Sequence, residues 1–330
     1  MWHALLACVV ILALRTSHVG STMQFDLGKR YGLGISNPNA PMHEGALRQI
    51  MNGVRQERPD AMYLFGLMQF YGHGVAQDKD AGVRFFRKAA ADRHVDAQFA
   101  LGLLHYKGGD GVVQDDSMAY SFLKPAADKG HADSQWLLGT MLRDGRGPRS
   151  SAADSMAFEL IRDSAAQGNP HGQFHLGVYY EYGTRHVAQN LTAAAQLYAL
   201  ASAQVGGPCS ILETCHNRYL WVQHVPDAAF YLGLMHAYGR GVRQDVEQAV
   251  GLFNKAASMQ HGPAMYYLGL MHVHGDGGLS VDYTRGLYWF DMALATKDKS
   301  IAENVQHARD ELAALVAQAS AHRAAVLAGR

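Results

Sequence analysis

At 330 residues with 48% hydrophobic content, the chain carries enough apolar side chain to bury a substantial core, which excludes disorder as its main state. Lys plus Arg and Asp plus Glu stand at 29 each, so overall charge supplies no sequence-independent attraction to nucleic acid or to an acidic membrane surface. A partner must be recognised by shape and local chemistry.

The first element is an eleven-residue apolar run, Ala4 to Leu14, followed by small residues at Val19 to Ser21. That is the length of a signal-peptide core and too short to cross a bilayer. Residues 1–21 therefore read as a signal peptide, directing the chain to the endoplasmic-reticulum lumen or, alternatively, to the periplasm or the exterior; an uncleaved anchor held by Arg15 is the other reading. Cleavage would remove Cys8 and leave Cys209 and Cys215. An even pair in an oxidising compartment points to a bridge, and two free, partly buried thiols are the alternative. Residues 22–45 are rich in turn formers and read as irregular.

From residue 46 to 299 the chain repeats itself. A glycine corner recurs at Tyr71 to Asp78, Gly108 to Asp115, Asp144 to Ser151, Tyr238 to Asp245 and His274 to Asp282, and a version at Tyr182 to Asn190 lacks the second glycine. A phosphate-binding loop occurs once per site, whereas a corner occurs once per repeat. Upstream of each corner an aromatic stands three residues before a glycine: Tyr63 and Gly66, Phe99 and Gly102, Trp136 and Gly139, Phe174 and Gly177, Phe230 and Gly233, Tyr266 and Gly269. The glycine spacings are 36, 37, 38, 56 and 36. This period predicts an all-α, right-handed superhelical solenoid of about six helix-turn-helix repeats.

Downstream of most corners an Asp or Asn (Asp78, Asp115, Asn190, Asp245, Asp282) stands where a helix N-cap is required, before apolar residues at helical spacing. Each repeat is thus helix A, corner, helix B and a short connector. A glycine inside helix A costs about 1 kcal/mol relative to alanine, and close approach to Ala89 and Ala90, or Ala256 and Ala257, is the expected compensation. Ala46 to Asp60 reads as a lone helix covering the first repeat, and residues 300–330 as a long Ala-rich capping helix.

The combination of an aromatic, a Leu-Gly pair, the corner at Tyr238 to Asp245 and Lys-Ala-Ala at Lys255 to Ala257 resembles the Sel-1-like repeat family, over roughly Asp60 to Asp298. Leu232 to Asp245 is similar to repeats in the lumenal adaptor of the endoplasmic-reticulum Hrd-type ubiquitin ligase. The resemblance implies a protein-binding scaffold, with a membrane ubiquitin-ligase complex or misfolded glycoproteins as partners in ER-associated degradation. Secreted bacterial members of the family, some proposed to be hydrolases, are the alternative.

The fourth spacing carries 20 extra residues, placed near 204–225. Insertions in solenoids carry partner contacts, and Tyr219 and Trp221 are the interface candidates; filling of the gap between repeats four and five is the competing role. Helix A aromatics from Tyr63 to Tyr266 either line a binding surface or pack between repeats, and their fixed register favours packing. Asn190 to Thr192 forms an N-glycosylation acceptor triplet. His171 and His175, His272 and His274, and Cys215 with His216 invite a metal, yet His105, His236 and His272 share one repeat position, as packing residues do, and no zinc-protease motif occurs. Nucleophile elbow, Walker loop and dinucleotide fingerprint are absent in usable form, so the sequence predicts neither catalysis, nor a cofactor, nor a metal.

Overall fold

The computed structural model describes residues 44–328, apart from 149, 186 and 204–210. The signal peptide, nearly all of the segment 22–45, and Cys209 lie outside the described residues. Those described form helices joined by corners and connectors: α1 (Glu44–Arg55), α2 (Pro59–Tyr71), α3 (Lys79–Ala91), α4 (Val95–Lys107), α5 (Asp116–Asp128), α6 (Ala132–Arg143), α7 (Ala153–Ala166), α8 (Pro170–Tyr182), α9 (Leu191–Ala203), α10 (Ile211–Tyr238), α11 (Val246–Ser258), α12 (Gly262–His274), α13 (Tyr283–Ala295) and α14 (Ala302–Ala328). No strand occurs among them, and none of these helices is long and apolar enough to cross a membrane.

The fold is an all-α repeat solenoid in which two kinds of helix alternate. Helix A is apolar around its whole circumference, as in α4, where every residue from Ala97 to His105 is buried. Helix B is amphipathic: in α3, Val83, Phe86, Ala89 and Ala90 are buried while Arg84, Arg87 and Lys88 face solvent. An all-apolar helix must be enclosed and a one-sided helix must cover something, so the pattern alone makes A the inner layer and B the outer one. Asp78, Asp115, Asn190, Asp245 and Asp282 each accept a hydrogen bond from the backbone N–H three residues on, capping helix B. Their own N–H groups donate back to helix A, to the carbonyls of Gln69, His105, Tyr180, His236 and His272. The corner is closed by satisfying both helix ends at once.

The helix A glycines meet large side chains instead of the expected Ala89, Ala90, Ala256 and Ala257. A Cβ on Gly66 would lie 2.9 Å from the Phe86 ring, on Gly102 2.6 Å from Leu123, on Gly139 2.7 Å from Ile161 and on Gly233 2.6 Å from Phe253; Gly269 stands against Phe290 in the same way. Phe86, Leu123, Ile161, Phe253 and Phe290 are all fully enclosed. Each large residue sits one helical turn after a small one on helix B (Gly82, Ala119, Ala157, Ala249, Gly286), so the small residue lets the backbones close and the large one fills the notch left by the missing Cβ.

The chain divides into two compact units. The first holds α1 to α7, most of α8 and the start of α10; its core runs through Ile50, Leu64 and Met68, then Phe86 and Leu101, then Leu123, Leu138 and Met141. The second holds the last turn of α8, α9, the remainder of α10 and α11 to α14, around Phe230, Phe253, Leu268 and Phe290, with Val305 and Leu312 of α14 closing the end over α13. Pro226 occupies the register where Pro59 and Pro170 open helix A in other repeats, yet helix continues N-terminally to Ile211. Residues 211–225 of the insertion are thus a helical extension of the fifth helix A.

Candidate protein-binding surface

The glycine corners are seated on the neighbouring repeat. A Cβ on Gly277 would lie 2.8 Å from the carbonyl oxygen of Val246, the first residue of α11, and one on Gly111 would lie 2.7 Å from Oδ1 of Asp80 in the first turn of α3; at Gly241 it would strike the backbone of Leu191, the first residue of α9. The start of each of these B helices, where an anion would be held, is covered by the next corner. Positive φ at Gly241 (72°) and Gly277 (64°) lets the chain turn there without a side chain.

The aromatics of helix A form joints between repeats. Tyr63, Phe99, Trp136, Phe174 and Phe230 are buried and Tyr266 is half-buried. Tyr63, Phe99 and Phe230 pack against His94, His131 and His261, with ring centroids 4.9, 5.4 and 4.9 Å apart. Each histidine is the N-cap of the following helix A. Nε2 of His131 lies 3.2 Å from Oδ1 of Asp96, and Nε2 of His261 lies 3.0 Å from Oδ1 of Asp227, both on the preceding helix A. Asn169 plays the same part at α8: its Oδ1 accepts from the N–H groups of His171 and Gly172, and its Nδ2 donates to Asp133 at 2.6 Å. This ladder is absent from the sequence reading, although His94 and His131 recur one period apart, each two residues before an Asp.

The metal candidates are structural neighbours of other groups. His171 stacks on Trp136 with centroids 4.3 Å apart, and Nη1 of Arg143 donates to Nδ1 of His175 at 3.0 Å. A ring nitrogen that accepts from a guanidinium has its lone pair occupied. His105 and His272 are buried on helix A, and Nδ1 of His105 contacts the Val113 carbonyl at 3.2 Å. Among the described residues no three His, Cys, Asp or Glu side chains gather as a metal site would require. Cys215, His216, Tyr219 and Trp221 lie on α10, where the helical backbone is described and their side chains are not. Asn190 is exposed and uses Oδ1 to cap α9, accepting from Ala193 N at 3.0 Å.

In the second unit the fourth repeat places a carboxylate inside. Glu181 is 1% exposed, accepts from the Tyr198 hydroxyl at 2.7 Å and pairs with Nη2 of Arg240 at 3.0 Å. Tyr198 stands where the other repeats carry Phe86, Leu123, Ile161, Phe253 or Phe290, so its hydroxyl needs an acceptor and Glu181 supplies one. Burial first, then the Glu181 hydrogen bond and charge, hold the Tyr198 phenol far above its ordinary value.

The same unit leaves one side of its A helices open. Tyr231, Leu234 and Tyr238 follow one face of α10, and Tyr267, Leu270 and His274 the matching face of α12. Tyr231, Leu234, Tyr267 and Leu270 are half-buried, and Tyr238 is 61% exposed. Burial, then the charge and hydrogen bond of Tyr238, push the Tyr267 phenol up; burial, then Tyr182 and Glu181, do the same to Tyr231. Tyr182 is 64% exposed. In the first unit the positions of α4 and α6 that match Tyr231, Leu234, Tyr267 and Leu270 are Ala100, Leu103, Leu137 and Thr140, all buried, and those that match Tyr238 and His274 are the exposed, charged Lys107 and Asp144. The face thus joins aromatic area to hydroxyl donors with no carboxylate, ammonium or guanidinium among these six residues, the chemistry of an adaptable protein contact.

The model of the Sel1 repeat matches six segments, residues 59–94, 95–131, 132–169, 170–205, 226–261 and 262–295, leaving 206–225 unmatched between the fourth and fifth. Among solved structures, the Sel1 repeat protein from Oxalobacter formigenes is 22% identical, with 75% of this chain and 90% of that chain covered and a TM-score of 0.61. The protective antigen c5321 of uropathogenic Escherichia coli strains, which displays an SLR fold, is 25% identical, with 81% of this chain and 59% of that chain covered and a TM-score of 0.52. No curated protein matches the sequence. With more than half of its residues in matched repeats, built as paired helices that interlock through glycine corners, the chain belongs to the Sel1 repeat family.

Proposed function

We propose that the chain is a non-enzymatic scaffold that binds other proteins, and that one contact surface is the open face of α10 and α12. The observation that carries this reading is the partial exposure of Tyr231, Leu234, Tyr267 and Leu270 beside exposed Tyr238, where the first unit buries the equivalents of the first four and carries charged Lys107 and Asp144 at the outer position. Tyrosine offers large contact area at small conformational cost and a hydroxyl that adapts to the partner's backbone, which suits an extended segment or an apolar helix face. Tyr219 and Trp221, further along α10, are a second proposed contact.

The proposed setting is the endoplasmic-reticulum lumen, in a complex that delivers misfolded proteins to a membrane ubiquitin ligase. Its support is the apolar run Ala4 to Leu14 and the likeness of Leu232 to Asp245 to the repeats of that adaptor. A periplasmic or extracellular role is the rival reading, favoured by the bacterial source of both solved relatives. A secreted hydrolase would require a nucleophile beside a base; turnover of ester or lactam substrates that disappears on changing one residue would replace the scaffold reading.

A photo-crosslinking residue at position 238, in the native cell, tests the surface. The expected result is a defined partner crosslinked from 238 and not from the solvent-facing helix B position Arg162, with capture lost in Tyr267→Ala. Equal capture from both positions would refute this face as the site. Deletion of 207–223 tests the insertion separately: capture should fall while far-ultraviolet helicity per residue is retained, and undiminished capture would remove Tyr219 and Trp221 from the contact.

A further inference from the structure

We propose that two capping histidines of the repeat joints, His94 and His131, respond in opposite directions to acid, and that the Ser134 hydroxyl beside His131, replaced by Ala97 beside His94, contributes to the difference together with the flanking carboxylates. The inference concerns regulation of the scaffold and stands independently of which partner it binds.

His94, His131 and His261 occupy one structural position. Nδ1 of each faces a backbone N–H at the start of helix A: that of Ala97 at 3.3 Å, of Ser134 at 3.3 Å and of Ala264 at 3.1 Å. A backbone N–H can only donate, so the cap requires a lone pair on Nδ1 and places the single ring proton of the neutral form on Nε2. At His131 and His261 that Nε2–H then points at Asp96 and Asp227. A second proton must go on Nδ1, where it confronts the backbone N–H and destroys the cap.

His131 has an alternative. The Ser134 hydroxyl lies 2.9 Å from its Nδ1, closer than the backbone nitrogen. A hydroxyl donates to the neutral ring and, by rotating, accepts from the protonated one. His131 therefore takes up a proton without losing its partner on that side, and the Nε2 contact with Asp96 becomes a charge-assisted hydrogen bond. Alanine at 97 and 264 offers His94 and His261 no such exchange.

The surrounding charges agree with this division. Around His131 stand Asp96 on α4 and Asp133 on its own helix, and around His94 stand Asp96, Asp60 on α2, His131, Lys129 and the Tyr63 ring. Burial lowers the His131 pKa, but the Asp96 hydrogen bond and the charges of Asp96 and Asp133 outweigh it and hold the value above the ordinary one. For His94, burial prevails over Asp96 and Asp60, with His131 and Lys129 adding to it, and the value falls below. His131 thus stabilises the joint fully below the unfolded value of about 6.5 and loses that contribution as pH rises through its higher folded value. His94 contributes above about 6.5 and its contribution is lost as pH falls through its lower folded value.

The test is an NMR titration of the histidine ring Cε1–H signals in the full chain from pH 5 to 8.5, assigned with His→Gln variants. His131 should titrate above His94. Ser134→Ala should move the His131 midpoint down by about 0.5–1 pH unit, and Ala97→Ser should move that of His94 up by a similar amount, the worth of one hydrogen bond. A His131 midpoint unchanged by Ser134→Ala, or a His94 midpoint at or above that of His131, overturns the proposal. As a second readout, His131→Asn copies the natural Asn169 cap; relative to this variant the wild type should gain stability as pH falls from 8 to 6, and a parallel pH profile would refute the role of His131.

Discussion

Two glycine-to-alanine substitutions on helices of the same unit should change stability in opposite directions. Gly251 on α11 is exposed, and a Cβ there meets no atom within 4 Å, so Gly251→Ala gains the helix-propensity difference of about 0.8–1 kcal/mol. Gly233 on α10 gains the same propensity but drives its Cβ to 2.6 Å from Cε1 and 2.9 Å from Cδ1 of Phe253. The Phe253 ring cannot yield easily, because it is fully enclosed, with Phe230 at 5.7 Å and Tyr267 at 5.5 Å between centroids. Overpacking of this kind costs roughly 1–3 kcal/mol, and a clash well inside van der Waals contact belongs at the upper end. The net for Gly233→Ala is a loss of about 1–2 kcal/mol, and Gly233→Leu, with three further carbons, should lose more. Urea unfolding followed by circular dichroism at 222 nm measures both. A Gly233→Ala protein as stable as wild type, alongside a stabilised Gly251→Ala, would refute the packing role assigned to the helix A glycine.

Gln260 holds a left-handed backbone (φ 64°) at an exposed connector position where other repeats carry Gly130 and Gly168, so Gln260→Gly should raise stability by about 1 kcal/mol in the same unfolding assay. Asp245→Ala removes the acceptor for the Gln248 N–H and should cost about 1 kcal/mol, with most of it restored in Asp245→Asn. Glu181→Ala takes the buried acceptor from the Tyr198 hydroxyl, while Arg240, 42% exposed, turns to water, and should cost roughly 1–3 kcal/mol. Combining it with Tyr198→Phe should cost less than the sum of the single changes, and strict additivity in this double-mutant cycle would show the contact to be energetically idle.

The repeat architecture could be read from the sequence because it rests on local rules. Caps at Asp78, Asp115, Asn190, Asp245 and Asp282 follow from one residue and its nearest neighbours, and the period follows from Gly66 to Gly269 alone. The partners of those glycines could not be read, since they depend on how one helix slides against another: alanines were expected from size, and Phe86, Ile161 and Phe253 arrived from register. The joint histidines were overlooked for a related reason. His131 becomes meaningful only when Asp96, one repeat earlier, is brought beside it. The open face is harder still, because Tyr266 and Tyr267 are adjacent in sequence and alike in chemistry, and their different surroundings come from which turn of α12 meets α11 and α13. The insertion was placed in the fourth repeat by spacing; that 211–225 extends the helix of the fifth runs against the helix-opening register of Pro226.

The seating of each corner on its predecessor bears on how such a chain can change length. The contacts of a repeat in the first unit are made through equivalent positions on either side, the capping residue facing back and the acid two residues into the helix facing forward. Excising residues 95–131 would join His94 to Ala132, so a histidine would again stand at the head of α6 and Asp60 would occupy the station vacated by Asp96. Loss or gain of one whole period therefore preserves matching edges, whereas an insertion between the capping residue and the acid two residues into the helix would not. Growth by duplication is built into the geometry; length changes of one or two residues fall within the repeats, the first three of which match as 36, 37 and 38 residues, and the twenty-residue insertion falls between two matched repeats, at 206–225.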